Sequence, residues 1–137
     1  MILISLRTFK HILIILFILA VCFTMSCYAE VNESQAVRAI IGEASGEGYQ
    51  GMLAVACGIR NRSTLKGVYG LKAKHVDNEP QWVWKLAKKA YRASLTGKDI
   101  TNGGTHWENT KAFGEPYWAK HMVVTARIGS HTFYKEK

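Results

Sequence analysis

Paired cysteines, proline-rich linkers and internal repeats are all missing from this 137-residue chain, and each absence narrows the reading. Two of its three cysteines, Cys22 and Cys27, fall in an N-terminal segment with the three zones of a secretory signal. Arg7 and Lys10 make a basic start, an apolar run extends from Ile12 to Phe23, and Cys-Tyr-Ala ends at Ala29. Cleavage after Ala29 leaves Cys57 alone, so no internal disulfide can form and stability must come from a packed core. Cys57 sits in the run Leu53-Ala54-Val55-Ala56-Cys57, which suits a small buried hydrophobe and not a reactive thiol. With two prolines, no Ser-rich tract and no repeat, nothing divides the remainder, so we expect a signal peptide over 1–29 and one domain over 30–137. The apolar run also approaches the roughly 20 residues of a spanning helix. A membrane association therefore requires that the segment stay uncleaved or that Cys27 carry a lipid, a modification that Thr24 and Met25 fit poorly.

Acidic side chains are scarce as well. Removing 1–29 takes Arg7 and Lys10 from the 18 basic groups and nothing from the 10 acidic ones, leaving 16 against 10 and a net charge of +6. Such a domain is drawn to polyanions: nucleic acid, acidic lipid or bacterial wall polymer. Secretion favours the wall, and the absence of any nuclease-type metal or His/Lys motif argues against nucleic acid. His75, His106, His121 and His131 show no His-Glu-x-x-His spacing and there is no cysteine pair, so no metal and no cofactor is expected. His131 alternates with Phe133 on a strand-like stretch, where a structural hydrogen bond is its expected role.

Apolar periodicity predicts three helices. In the first, Ser34 is the expected N-cap and Ala36, Val37, Ile40, Ile41 and Ala44 recur at helical spacing, with Gly46 and Gly48 to end it. The second runs from about Tyr49 to Arg62, with Met52, Leu53, Val55, Ala56 and Ile59 inward, and forms a tight hairpin with the first. Ser63 to Asn78 reads as a long irregular loop, of the kind that is often functional. Pro80 then opens a third helix that Gly97 closes, with Val83, Leu86, Ala87, Ala90 and Ser94 inward. Beyond Gly103-Gly104 come short β-prone stretches, Thr105 to Asn109, Val123 to Ile128 and Thr132 to Tyr134, the last two joined by a Gly129-Ser130 turn. Helices first and a small antiparallel sheet last make an α+β domain.

One carboxylate stands out. Glu43 closes an apolar helix beside a glycine turn, on the border of the apolar stripe with Ala36 and Ile40, and should be half-buried. A carboxyl group among apolar neighbours is harder to ionise and can serve as a proton donor near neutral pH, as glycosidic cleavage requires. Gly42 and Gly46 would let a bulky sugar chain approach. The plainer alternative is a solvated carboxylate at a helix C-terminus, where its charge is mildly unfavourable. Trp82, Trp84, Trp107, Tyr117 and Trp118 make the chain rich in aromatics, whose faces either pack or stack on sugar rings. Trp107 and Trp118 are the expected sugar platforms, with His106, Asn109 and Thr110 supplying hydrogen bonds. Asn61, Arg62 and Thr64 lie at the end of the second helix and could face Glu43 across the hairpin.

The segment IIGEASGEGYQGMLAVACGIRNR resembles the opening motif of the spore cortex-lytic cell-wall hydrolase family. GGTHWENT is similar to its Gly-Ala-x-x-aromatic-x-Asn segment and IGSHTFYK to its closing Gly-x-His-x-Phe-Tyr strand, so the likeness spans residues 36 to 135 in the family's order. It implies a lysozyme- or transglycosylase-like fold and cleavage of peptidoglycan glycan strands between N-acetylmuramic acid and N-acetylglucosamine, usually as a lytic transglycosylase. Glu43 matches the family's catalytic glutamate, and Asn61 and Arg62 its Asn-Arg pair. One carboxyl group then acts as acid and afterwards as base, with no second carboxylate required. Glu47 and Glu108 stay open as partners in a two-carboxylate route. The sequence departs from the family after Asn-Arg, where GVYGLKAKHVD replaces a proline-containing stretch, which puts substrate preference in doubt. No separate wall-binding repeat accompanies the domain, which is expected to act as a monomer in the cell envelope or outside the cell. Rival readings are a hydrolytic muramidase or glucosaminidase and a non-catalytic wall-binding protein.

Overall fold

The computed structural model describes residues 31–137 and, before them, His11 alone; the expected signal peptide lies outside the described residues. The first helix, α1 (Glu33–Ala44), buries Ala36, Val37, Ala39, Ile40, Ile41 and Ala44. Its cap is Asn32, whose side-chain oxygen accepts the Gln35 N–H at 3.1 Å. Ser34, the expected cap, is already inside the first turn, because Asn32 is the last residue whose extended backbone can aim an oxygen back at the free N–H groups. A single 3-10 turn (Ser45–Glu47) and Gly48 at φ 66° reverse the chain into α2 (Gly48–Arg62).

Helix α2 carries the centre of the core: Met52, Ala54, Val55, Ala56, Cys57 and Ile59 are fully buried. Cys57 is thus a packed thiol, and burial raises its pKa above the ordinary value. The helix stops at Ser63, held at φ 55° with its N–H on the Ile59 carbonyl. Helix α3 (Gln81–Thr96) follows Pro80, ends at Gly97, and packs Val83, Ala87, Ala90, Tyr91 and Ser94 against both other helices. Small residues at the crossings keep the three axes close.

The stretch from Ser63 to Asn78 is more ordered than its sequence suggests. Two 3-10 turns, Tyr69–Lys72 and Lys74–Asn78, lie along α1. Arg38 straps them down: its Nε donates to the Leu71 carbonyl at 3.0 Å and its Nη1 and Nη2 to the Asp77 carboxylate at 2.7 and 3.2 Å.

The sheet has three antiparallel strands in the order β1 (His106–Asn109), β3 (His131–Glu136), β2 (Met122–Ile128). Gly129 at φ 60° and Ser130 form the two-residue turn between β2 and β3. The register of β2 against β3 shifts between Val124 and Ala126, which places a bulge at Thr125. Central β3 buries His131 through Tyr134, and Phe133 joins the helical core. A short helix, α4 (Thr110–Phe113), leaves β1, and a further 3-10 turn (Tyr117–His121) leads into β2. Among the described residues, no helix is long and apolar enough to cross a membrane.

Candidate active site

A cleft of about 510 Å³ opens where the C-terminal end of α1 meets the sheet. Glu43 and Gly42 form part of its floor, residues 67–70 and Ala73 one wall, and His106, Trp107 and Glu108 of β1 the other. Arg62, Phe113 and Trp118 complete it.

Glu43 is half-buried, and both of its carboxyl oxygens are held. The Gly70 backbone N–H donates to Oε1 at 2.6 Å, and the Trp107 indole N–H donates to Oε2 at 3.2 Å. Each donor comes from a different wall, so the carboxyl group is fixed in rotation as well as position. Every carboxylate oxygen has a second acceptor site, which leaves capacity on both oxygens for a ligand.

The approach that brings Gly70 to Glu43 depends on two glycines. A Cβ on Gly42 would overlap the Gly70 carbonyl, and a Cβ on Gly70 would come within 2.6 Å of both the Ala39 carbonyl oxygen and the Glu43 Cγ. Gly42, in the cleft floor, is therefore small first of all to admit the chain's own backbone. Gly46 is exposed, has no crowding within 4 Å of a would-be Cβ, and does not line the cleft.

Trp107 is the hinge between the walls. Its ring lies against Gly58 of α2, where a Cβ would come within 2.8 Å of two ring carbons, and it stacks near Phe133 with centroids 6.3 Å apart. The guanidinium of Arg62 sits over its face at 5.6 Å. Burial lowers the pKa of Arg62, with the Glu43 charge acting in the opposite direction. His106 bonds Thr105 Oγ1 through Nδ1 at 2.9 Å, and its ring lies 5.8 Å from that of Trp118. Burial, helped by the Arg62 charge, lowers its pKa, so the ring is neutral at neutral pH.

Four of the residues expected in the site thus meet in one cleft: Glu43, His106, Trp107 and Trp118. Four others are engaged elsewhere. Asn61 turns away into the loop before β1, its Nδ2 donating to Asp99 Oδ2 (2.9 Å), Thr101 Oγ1 (3.2 Å) and the Gly104 carbonyl (3.0 Å). Thr64 is exposed and accepts the Lys66 N–H at 3.2 Å. Asn109 caps α4 by accepting the Ala112 N–H, and Thr110 shares a 2.7 Å hydrogen bond with Thr132. These are structural uses of the same polar groups. Glu47 is also structural: Oε2 accepts the Ser130 N–H of the β2–β3 turn at 2.9 Å. Burial alone would raise its pKa, but the Ser130 bond outweighs it and the pKa is lowered.

His131, expected to make a structural hydrogen bond, has none at Nδ1. That atom is buried and unpartnered, and burial lowers the pKa of the ring although Glu47, Glu43 and Glu108 lie within electrostatic reach. His75 and His121 are exposed, and no group of three His, Cys, Asp or Glu suited to a metal occurs among the described residues. Of the other aromatics, Trp82 and Tyr117 are exposed and Trp84 is half-buried, all outside the cleft lining. Gly70, Tyr69, Phe113 and the whole wall from Gly67 were missed by sequence reasoning, since a backbone donor carries no residue-type signal and this stretch no apolar period.

Comparison with known proteins bears on the family and the fold. A family model described as cell wall hydrolase matches residues 46–134, well over half of the chain. The chain belongs to the cell wall hydrolase family. Glu43 lies three residues before the matched stretch, while Arg62, Trp107 and the wall from Gly67 lie within it. Two solved structures extend the likeness to the whole fold of this cell wall hydrolase. The catalytic domain of the Bacillus cereus SleB protein is 28% identical, with a TM-score of 0.56 over 76% of this chain and 90% of that one. The catalytic domain of the germination-specific lytic transglycosylase SleB from Bacillus anthracis is 26% identical, with a TM-score of 0.55 over 75% and 93%. No curated protein matches the chain.

Proposed function

We propose that this cell wall hydrolase cuts the glycan strand of peptidoglycan between N-acetylmuramic acid and N-acetylglucosamine as a lytic transglycosylase, with Glu43 as acid and then as base. What carries the reading is the placement of Glu43, a half-buried carboxyl group in an aromatic-lined cleft with both oxygens oriented by neutral N–H donors. The protonated carboxyl gives its proton to the glycosidic oxygen as the bond from the muramyl C1 breaks. The resulting carboxylate then takes the proton of the muramyl 6-hydroxyl as that oxygen closes on C1, giving a 1,6-anhydro end. Trp107 and Trp118 offer ring faces for sugars, and the N–H of Trp107 links one such face to the catalytic group.

Glu43→Gln keeps the shape of the carboxyl and removes its acid–base capacity. Loss of muropeptide release from sacculi by at least about 10³-fold, with an unchanged melting curve, is the expected result; retained lysis would refute the assignment. Glu108 lines the same cleft and supports a second reading, hydrolysis by two carboxylates. Mass spectrometry of the products separates the two, since hydrolysis leaves a reducing end and transglycosylation an anhydro end. We further propose that the enzyme is delivered to the envelope through residues 1–29 and acts there as a monomer.

A further inference from the structure

The described arginines divide by how their charge is met. Arg38 pairs with Asp77 at 2.7 Å, Arg60 approaches Asp99 at 3.7 Å, and Arg92 pairs with Glu33 at 3.2 Å. Arg127 is exposed to water. Arg62 has neither solution: it is half-buried in the cleft wall, and among the described residues no carboxylate lies within 4 Å of its guanidinium. Its recorded partners are the Lys66 carbonyl, which accepts from Nη2 at 2.7 Å, and the face of Trp107. A guanidinium carries five N–H donors in a planar fork, and this one spends a single donor on a neutral acceptor. The Glu43 charge reaches Arg62 only at longer range, across the indole, and no carboxylate pairs with it directly. Partial burial of a charge without a direct partner is costly, and such a group in a ligand cleft is met most economically by an anion that the ligand brings.

Position limits which anion. Arg62 lies over the ring whose N–H holds Glu43, so it is one indole away from the proposed point of bond cleavage. Of the two sugars at that bond only the muramyl unit bears acid, either as the lactyl carboxyl on O3 or, when a peptide is attached there, as carboxylates of the stem. His106, neutral and beside Arg62, adds a hydrogen-bonding group without repelling or neutralising the anion.

We propose that Arg62 is the residue that reads the muramyl unit, by binding a carboxylate carried on its O3 substituent. The inference rests on the glycan-cleaving reading and adds to it a direction: the sugar with the acidic substituent is placed on the Arg62 side of Glu43, which fixes which glycosidic bond meets the acid.

The test is binding of defined glycan chains to the full chain carrying Glu43→Gln, so that no turnover intervenes. Chains stripped of stems, with free lactyl carboxylates, are compared with the same chains after conversion of those carboxyls to neutral amides, and with chains whose stems are intact. Acidic chains should bind on the order of ten- to a hundredfold tighter than amidated ones, the range expected for a charge-assisted fork. Adding Arg62→Gln should erase that preference, and Arg62→Lys should keep part of it. The ligand comparison itself needs no substitution at Arg62, so it stands even if Arg62→Gln folds poorly. Tight binding of stripped chains assigns the carboxylate to the lactyl group, and tight binding confined to stem-bearing chains assigns it to the peptide. Equal binding of stripped, amidated and stem-bearing chains, with wild-type lysis intact, overturns the role of Arg62 alone. Absence of binding to every chain, with no lysis by wild type, overturns the glycan reading and the inference with it.

Discussion

The helical half of this cell wall hydrolase and its sheet half are held together by different physics. From Glu33 to Thr96 the interior is apolar and close-packed, built from Ala, Val, Ile and Met with Tyr91 at its margin. From Gly97 onward only Phe133 joins that core among fully buried apolar side chains, the partly buried Ile100, Trp107, Ala126 and Ile128 pack against it, and polar ties add to the docking of the sheet. Asn61 at the end of α2 grips the Asp99–Gly104 loop, and Glu47 at the start of α2 grips the β2–β3 turn. Apolar burial is non-directional, so it can bring two bodies together without fixing their angle; hydrogen bonds from both ends of one helix fix it. The cleft lies along that seam, and its geometry needs the angle.

The contrast can be broken most severely at the one place where backbone meets backbone. Gly42→Ala forces the Gly70 carbonyl away from α1, and no side chain can move to relieve it. We expect a loss of about 3 kcal/mol or more in chemical denaturation, with turnover falling further than stability explains because the Gly70 N–H leaves Glu43. A Gly42→Ala protein with full activity would show that the wall is not set by this contact.

The polar seam should respond almost as strongly. Asp99 accepts from Asn61, Thr101 and the Gly103 N–H. Burial works against the charge, but these bonds outweigh it and hold the pKa at about 2, down from 3.8. Asp99→Ala leaves several donors unmet and should cost about 2 to 3 kcal/mol, read as a lower denaturation midpoint. The carboxylate stabilises the fold fully above pH 3.8, and that contribution disappears as the pH falls towards 2. Since Asn61 still holds the Gly104 carbonyl and so keeps the angle, and Asp99 itself lines no part of the cleft, kcat at a temperature well below the melting point should stay within about threefold. Glu47→Gln is milder. It keeps an acceptor for Ser130 and loses only charge, so about 1 kcal/mol is expected, with glycan cleavage preserved. That result would separate Glu47 from Glu43, four residues away.

How far these halves were legible in the sequence follows from the same contrast. Burial leaves a period, so α1, α2 and α3 and most of their inward residues could be read directly. Glu43 stood out because it sits on the edge of such a period, and its expected role came from the resemblance to the family motif. The seam leaves none: Asn61 reaches residues 38 to 43 positions away, and Arg38 straps residues 33 to 39 positions on. Nothing local distinguishes Asn61 from a sugar-binding amide or marks Gly42 as the glycine that admits Gly70. The residues expected to contact substrate at Asn61, Thr64, Asn109 and Thr110 lie outside the cleft lining for that reason. Each is a polar residue near a motif whose hydrogen bond is taken by the fold.

His131 is the smallest lever and the one that tests whether sheet and cleft share an electrostatic environment. The residue is only 4% exposed, with Nδ1 unpartnered, and it pairs in register with Asn109 and Ile128. Burial depresses its pKa from 6.5, while the negative charges of Glu47, Glu43 and Glu108 oppose that shift. Because the folded pKa is lower, the unfolded chain takes up the proton first as pH falls, so this residue costs stability below about pH 6.5 and nothing above it. At pH 6 the cost is under about 1 kcal/mol. His131→Asn should flatten the stability profile between pH 7 and pH 5.5, leaving the contribution of His106, whose pKa is also lowered by burial. In a Glu43→Gln background the opposing charges are fewer, so the folded pKa of His131 should fall further and the loss at pH 6 should grow. A profile indifferent to Glu43 would mean that the Glu43 carboxyl and the buried imidazole are electrically separate, and that the sheet contributes shape to the cleft but no field.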